Sequence, residues 1–303
     1  MDVFVTGGTG AIGRYAVPAL IAAGHRVSGL ARSDAAAAAL TLAGATPVRV
    51  SLFDVEALTS AFAGCDAVAN LASALPATAT FAFHSSWREC LKIRSEGSAA
   101  VVDAALAAGV PRVVQESVVM LYADGGDDWL DESSPVDEYP ISRGNHAAEA
   151  SARRFTESGG VGTVLRFGLF YGVGAAHSEE IMAMARRHLG FVAGRSDAYQ
   201  SSIHLADAAD AVVAALGVPA GTYNVVDDEP LTKAANADAL AAAVGRRRWV
   251  TGPGRAAVAL GDRTTSLTRS LRVSNERSRT GAGWSPRYAS VREGYAQMAA
   301  ASR

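Results

Sequence analysis

The run Thr6-Gly7-Gly8-Thr9-Gly10-Ala11-Ile12-Gly13 follows the apolar stretch of residues 2–6 and leads into an alanine-rich segment of helical character. No other stretch narrows the possible folds as far. Glycines at 7, 10 and 13 permit a tight turn, close approach of backbone to a pyrophosphate, and close packing of helix on strand. The amino end of a helix starting here presents free N–H groups and the positive end of its dipole to an anion. Strand, glycine turn and helix in that order predict a dinucleotide site with Gly7, Gly10, Ala11, Ile12 and Gly13 on the cofactor.

The first half keeps that rhythm. Strands are expected at 2–6, 26–31, 47–50, 67–71, 112–117 and 162–167, with helices near 11–23, 34–43, 54–63, 86–108 and 140–158. In the last of these Pro140 reads as the first helical residue. Apolar strands separated by helices imply an α/β, Rossmann-type doubly wound parallel sheet covered on both faces. After residue 170 the pattern loosens to helices near 178–188, 205–216, 232–244 and 289–301 and one strand at 222–226. No Ser/Gly/Pro linker intervenes. The expected organisation is a dinucleotide-binding domain over 1–170 and a smaller substrate lobe over 171–303, with segments near 202–228 returning to the first domain.

Composition limits the partners. With 49% hydrophobic residues in 303 the chain can bury a substantial core, and a net charge of −2 offers no field for nucleic acid or an acidic membrane. The basic run Arg246-Arg247-Arg248 reads as a solvated turn. Cys65 and Cys90 lack a CxxC partner, as in a reducing compartment, and no apolar run reaches the length of a membrane span. The chain opens directly in a strand pattern, which reads as no targeting segment and a cytoplasmic location. Histidines at 25, 84, 146, 177, 188 and 204 have no metal-ligand spacing, so no metal is expected. The expected partner is a small-molecule substrate, and the chain a monomer or homodimer.

The second strand ends Gly29-Leu30-Ala31-Arg32-Ser33, without the acid that accepts from the ribose hydroxyls in an NAD site. Arg32 is suited to a 2′-phosphate and Ser33 to donating to it, which favours NADP(H) and leaves NAD(H) possible. Leu52 and the stretch Leu71, Ala72 and Ser73 complete the expected cofactor groove.

Taken in order, these segments resemble the extended short-chain dehydrogenase/reductase family, the group of nucleotide-sugar epimerases and dehydratases. The loop is similar to that family's TGxxGxxG. Asn70–Ser73, Leu165-Arg166-Phe167 with Tyr171-Gly172, Ser202–Asp207 and Gly281–Pro286 resemble its later landmarks, across nearly the whole chain. The resemblance implies a Ser/Thr, a Tyr and a Lys as catalytic groups. Laid on the family's P-Y-x-x-S-K-x-x-x-E helix, Pro140 and Glu149 fall in place, Ile141 takes the tyrosine position and Asn145 the lysine position. The serine position, four before Tyr122, is Val118.

Three residues remain as candidates for catalysis. Asn145 retains an amide for the nicotinamide ribose; Ser117, like Gln115 and Glu116, stands at a strand end, where satisfaction by backbone is the plainer reading. Tyr139 forms YxxxR with Arg143, but a two-residue shift on a helix turns a side chain by about 200°. It is therefore expected not to be the acid. His84, Trp87, Met120, Ile141 and His204 are the candidates for the substrate wall. The expected function is NADP(H)-dependent reduction of a conjugated carbonyl or imine, whose anion is delocalised or whose nitrogen is already protonated. A non-redox isomerase, cyclase or lyase, or a silent NADP(H) sensor, are the alternatives.

Overall fold

A computed structural model describes residues 1–301. It contains a seven-stranded, wholly parallel sheet built from β1 (Asp2–Thr6), β2 (Arg26–Leu30), β3 (Thr46–Val48), β4 (Ala67–Asn70), β5 (Arg112–Val118), Val161–Phe167 and Gly221–Val225. The order runs from Gly221–Val225 through Val161–Phe167, β5, β4, β1 and β2 to β3, so the chain reverses direction across the sheet between β1 and β4. That is the doubly wound arrangement, and its switch point opens a crevice at the carboxyl ends of the strands.

Alternation along the strands builds two separate cores. Val3 and Val5 face α1 (Gly13–Ala22) and the Leu205–Ala214 helix, meeting Ala16, Val17, Leu20 and Val212. Phe4, Val68 and Val113 face α3 (Val55–Phe62) and the Ser98–Ala107 helix, meeting Leu58, Phe62 and Val101. α2 (Asp34–Leu42) packs on the first core through Leu40 and is opened by Ser33, whose Oγ accepts from the Ala36 N–H. A further apolar cluster of Tyr171, Met182, Leu240, Tyr295 and Met298 joins the helices of the second half.

Three local expectations needed correction. The span 86–108 is one helical rod with a defect: Arg88–Lys92 and Ser98–Ala107 are joined by a π-helical turn, Ile93–Gly97. Pro140 is not the first helical residue, since the helix runs Arg143–Glu157. Ser142 holds the preceding turn by accepting from the Tyr139 N–H at 2.9 Å while its hydroxyl lies within bonding distance of the Tyr139 and Asp137 carbonyls. The second half also holds more strand than its pattern suggests, in the parallel pairs Leu169–Tyr171 with Ser202–His204 and Leu189–Ala193 with Val250–Gly254. Glycines and partly exposed positions in these short strands break the alternation that marks a strand in sequence.

Candidate active site

A cavity of about 970 Å³ lies over the carboxyl ends of β1, β2 and β4. Gly7, Gly10, Ala11, Ile12, Arg32, Ser33, Leu52, Leu71, Ala72 and Ser73 all line it. Gly13 does not; it packs behind the loop, where an added Cβ would stand 2.2 Å from the Gly7 carbonyl oxygen. Gly7 has φ +68° and its Cβ would meet the Leu71 carbonyl oxygen at 2.4 Å, so the turn and its seat against β4 both require glycine.

The cavity has two chemically distinct ends. At one stand Arg32, Ser33 and Arg49, beside the start of α2. Arg49 was missed in the sequence; it follows β3 and pairs with the exposed Asp34 carboxylate. At the other end are Ile93, Glu116 and Phe170. Between the two, Gly10, Ala11 and Ile12 line the cavity at the amino end of α1, which carries no side-chain cap and suits an anion. A dinucleotide fits these features, with its pyrophosphate at the amino end of α1.

Below the floor, a polar chain ties the strand ends together. Thr6 Oγ1 donates to Asn70 Oδ1, and the Asn70 amide donates to Gln115 Oε1 at 2.8 Å and Ser98 Oγ at 3.1 Å. A second, charged cluster lies beside it. Arg94 donates through Nη2 to Glu116 Oε1 at 2.7 Å and through Nη1 to Asn145 Oδ1 at 2.8 Å. All three residues are 3% exposed or less, yet Glu116 Oε2, Arg94 Nε and Asn145 Nδ2 have no partner. Burial raises the Glu116 carboxyl, with the Arg94 guanidinium pulling the other way. The reading of Glu116 as satisfied by backbone is therefore incorrect.

The remaining candidates sit away from the cavity. Ser117 Oγ donates to Glu149 Oε1 at 2.7 Å, and that carboxylate receives a two-pronged bond from Arg166, with both distances 2.8 Å. Ser117 is thus bound inside a buried ion pair. The Tyr139 hydroxyl donates to the Met120 carbonyl at 2.9 Å, and burial pushes its phenol up to about 12. Tyr139, Ile141, Trp87 and Cys90 form one apolar cluster. Trp87 Nε1 donates to the Phe81 carbonyl, and His84 is exposed, 3.4 Å from Asp262. The Met120 side chain packs, half-buried, near Tyr122 and Leu130. His204 caps the Leu205–Ala214 helix, accepting from the Ala206 N–H through Nδ1, and its ring lies between Tyr171 and Tyr288.

Arg94 had no mention in the sequence reading. The signal for it was the helical face of Cys90, Arg94, Ser98 and Val101, spaced four, four and three residues apart and buried throughout. An arginine on that face needs an internal partner.

A sequence model described as the NAD dependent epimerase/dehydratase family matches residues 3–225. The 3-diazoavenalumate denitrifying reductase of a Streptomyces species is 32% identical over 309 residues, covering 97% of this chain and 99% of its own. A Stigmatella aurantiaca ketoreductase of a farnesylated dihydroquinoline oxide is 36% identical over 156 residues, 51% of this chain and 44% of its own. The crystal structure of the human epimerase family protein SDR39U1 with NADPH superimposes with a TM-score of 0.82 at 25% identity, over 99% of both chains.

Proposed function

Because the chain belongs to the NAD dependent epimerase/dehydratase family, we propose that it is an NADP(H)-dependent reductase of a conjugated carbonyl, imine or related electrophile. The observation that carries this is the cavity of about 970 Å³, cationic at its Arg32 end and open over the uncapped helix amino end. When bound, the dihydronicotinamide supplies a hydride. The chain's own residues would bind and orient it: the loop at the amino end of α1 would hold the pyrophosphate, and Arg32, Ser33 and Arg49 would hold the 2′-phosphate.

No group on the Arg143–Glu157 helix is placed to protonate a substrate. Ile141 precedes it in an apolar cluster, and the Asn145 Oδ1 is held by Arg94. Substrates that need no strong acid suit such a site. The relative named as a reductase of 3-diazoavenalumate, 32% identical over nearly the whole chain, supports the reading of this chain as a reductase. Orientation of donor and acceptor then supplies much of the rate.

Calorimetry tests the cofactor. NADPH is expected to bind at least about 10-fold more tightly than NADH, and Arg32→Ala to erase that preference, since a charge-assisted bond to phosphate contributes about 1.5–3 kcal/mol. Equal affinities in the wild type would sink the 2′-phosphate role. A second expectation concerns Tyr139. Tyr139→Phe should change turnover of a cyclic conjugated imine by no more than a few-fold, because a general acid contributes about 10²–10⁴. A loss in that larger range would restore the phenol as acid.

A further inference from the structure

The charged residues lining the cavity divide by sign: Arg32 and Arg49 at the 2′-phosphate end, and the acids Glu89 and Glu116 besides. Glu116 is the informative one. It rises from the carboxyl-terminal part of β5, is 3% exposed, lines the cavity and keeps Oε2 without a partner. Its other oxygen is occupied by Arg94, which the π-helical turn Ile93–Gly97 directs inward. Arg94 also fixes the amide of Asn145, the residue that stands at the lysine position of the helix motif. A cation therefore remains beside that position, carried by a different element and already neutralised by a carboxylate.

We propose that Glu116 faces the reacting atoms and selects a positively charged nitrogen electrophile, such as an iminium ion, over a neutral ketone, with Arg94 and Asn145 as its positioning residues. This rests on the cavity being the NADPH site of a reductase. Hydride addition to an iminium carbon forms a C–H bond, moves the C=N π pair onto nitrogen as a lone pair, and leaves a neutral amine while NADPH becomes NADP⁺. No proton is consumed. One positive charge leaves the substrate as one appears on the nicotinamide, so the carboxylate has a cationic neighbour before and after the step. A neutral ketone would instead form an alkoxide next to Glu116 and need a proton, which the iminium step does not. An unpaired, desolvated carboxylate oxygen repels that product and attracts the iminium.

The test uses the full chain loaded with NADPH and two probes of one shape, an N-methyl dihydroisoquinolinium ion and the matching tetralone. The iminium should be reduced with kcat/KM at least about 100-fold above the ketone, and Glu116→Gln should lower that ratio about 10-fold or more. Calorimetry with the saturated N,N-dimethyl tetrahydroisoquinolinium ion, which accepts no hydride, gives a reading independent of turnover. It should bind the loaded wild type at least about 10-fold more tightly than tetralone does. Because Glu116→Gln leaves Arg94 buried without its counter-ion, the double variant Arg94→Met/Glu116→Gln removes both charges. It should keep NADPH affinity within about threefold and lose the cation preference. Equal binding of cation and ketone, or a ratio unchanged in a folded variant, overturns the assignment of Glu116 and leaves the reductase reading intact. Absence of NADPH binding to the wild type overturns both.

Discussion

Replacing Glu149 by alanine should lower the unfolding free energy by about 3–5 kcal/mol, the loss expected when one partner of a buried ion pair is removed. The Glu149 and Arg166 side chains are 3% and 8% exposed, and the two-pronged bond between them spans the Arg143–Glu157 helix and the Val161–Phe167 strand. Alanine leaves the Arg166 guanidinium over the Tyr122 ring without a counter-charge and strips the Ser117 hydroxyl of its acceptor. Ser117→Ala, which removes a single hydrogen bond, should cost only about 1 kcal/mol. Denaturant unfolding of the three proteins checks both values. Equal stability of Glu149→Ala and wild type would mean that this ion pair contributes nothing to the docking of helix on sheet. NADPH affinity within a few-fold of wild type in Ser117→Ala would place Ser117 with the scaffold.

Stability should also fall in mild acid through His204. Burial holds this imidazole down to about 4, below the ordinary value of 6.5. Between those values the unfolded chain takes up a proton that the folded chain refuses. The stability His204 contributes is therefore complete above pH 6.5 and is lost as pH falls toward 4, by about 3 kcal/mol in all. His204→Asn keeps an acceptor for the Ala206 N–H and removes the titration. The buried carboxyls Glu116, Asp207 and Asp227 are raised and act in the opposite sense, so the informative quantity is the difference between wild type and variant across the pH series. Parallel curves for the two proteins would show that His204 titrates normally.

The sequence carried the fold because its signals are local. A strand, a glycine turn and a helix within Asp2–Ala22 require the same chain direction at every such unit, and apolar strands separated by helices then stack into one parallel sheet. At Tyr139 the register was set by Pro140 and Glu149 over ten residues, and the phenol donates to the Met120 carbonyl within a packed cluster. The expected start of the helix was wrong, because Tyr139 and Ile141 lie in a turn that Ser142 closes before the helix begins.

What the sequence by itself determined is the cofactor-loop geometry, the arginine in place of an acid after β2, and the absence of the phenol–lysine pair from its usual helix. Each is a property of a few consecutive residues, where backbone conformation follows from side-chain size and periodicity. The tertiary structure alone decided where charge sits in the site. Arg94 meets Glu116 across 22 residues and Asn145 across 51, and their contact depends on a π-turn rotating one helix face toward the end of a strand. Coulombic pairing in a buried space acts on distance and desolvation, and neither is written in the spacing of residues along the chain.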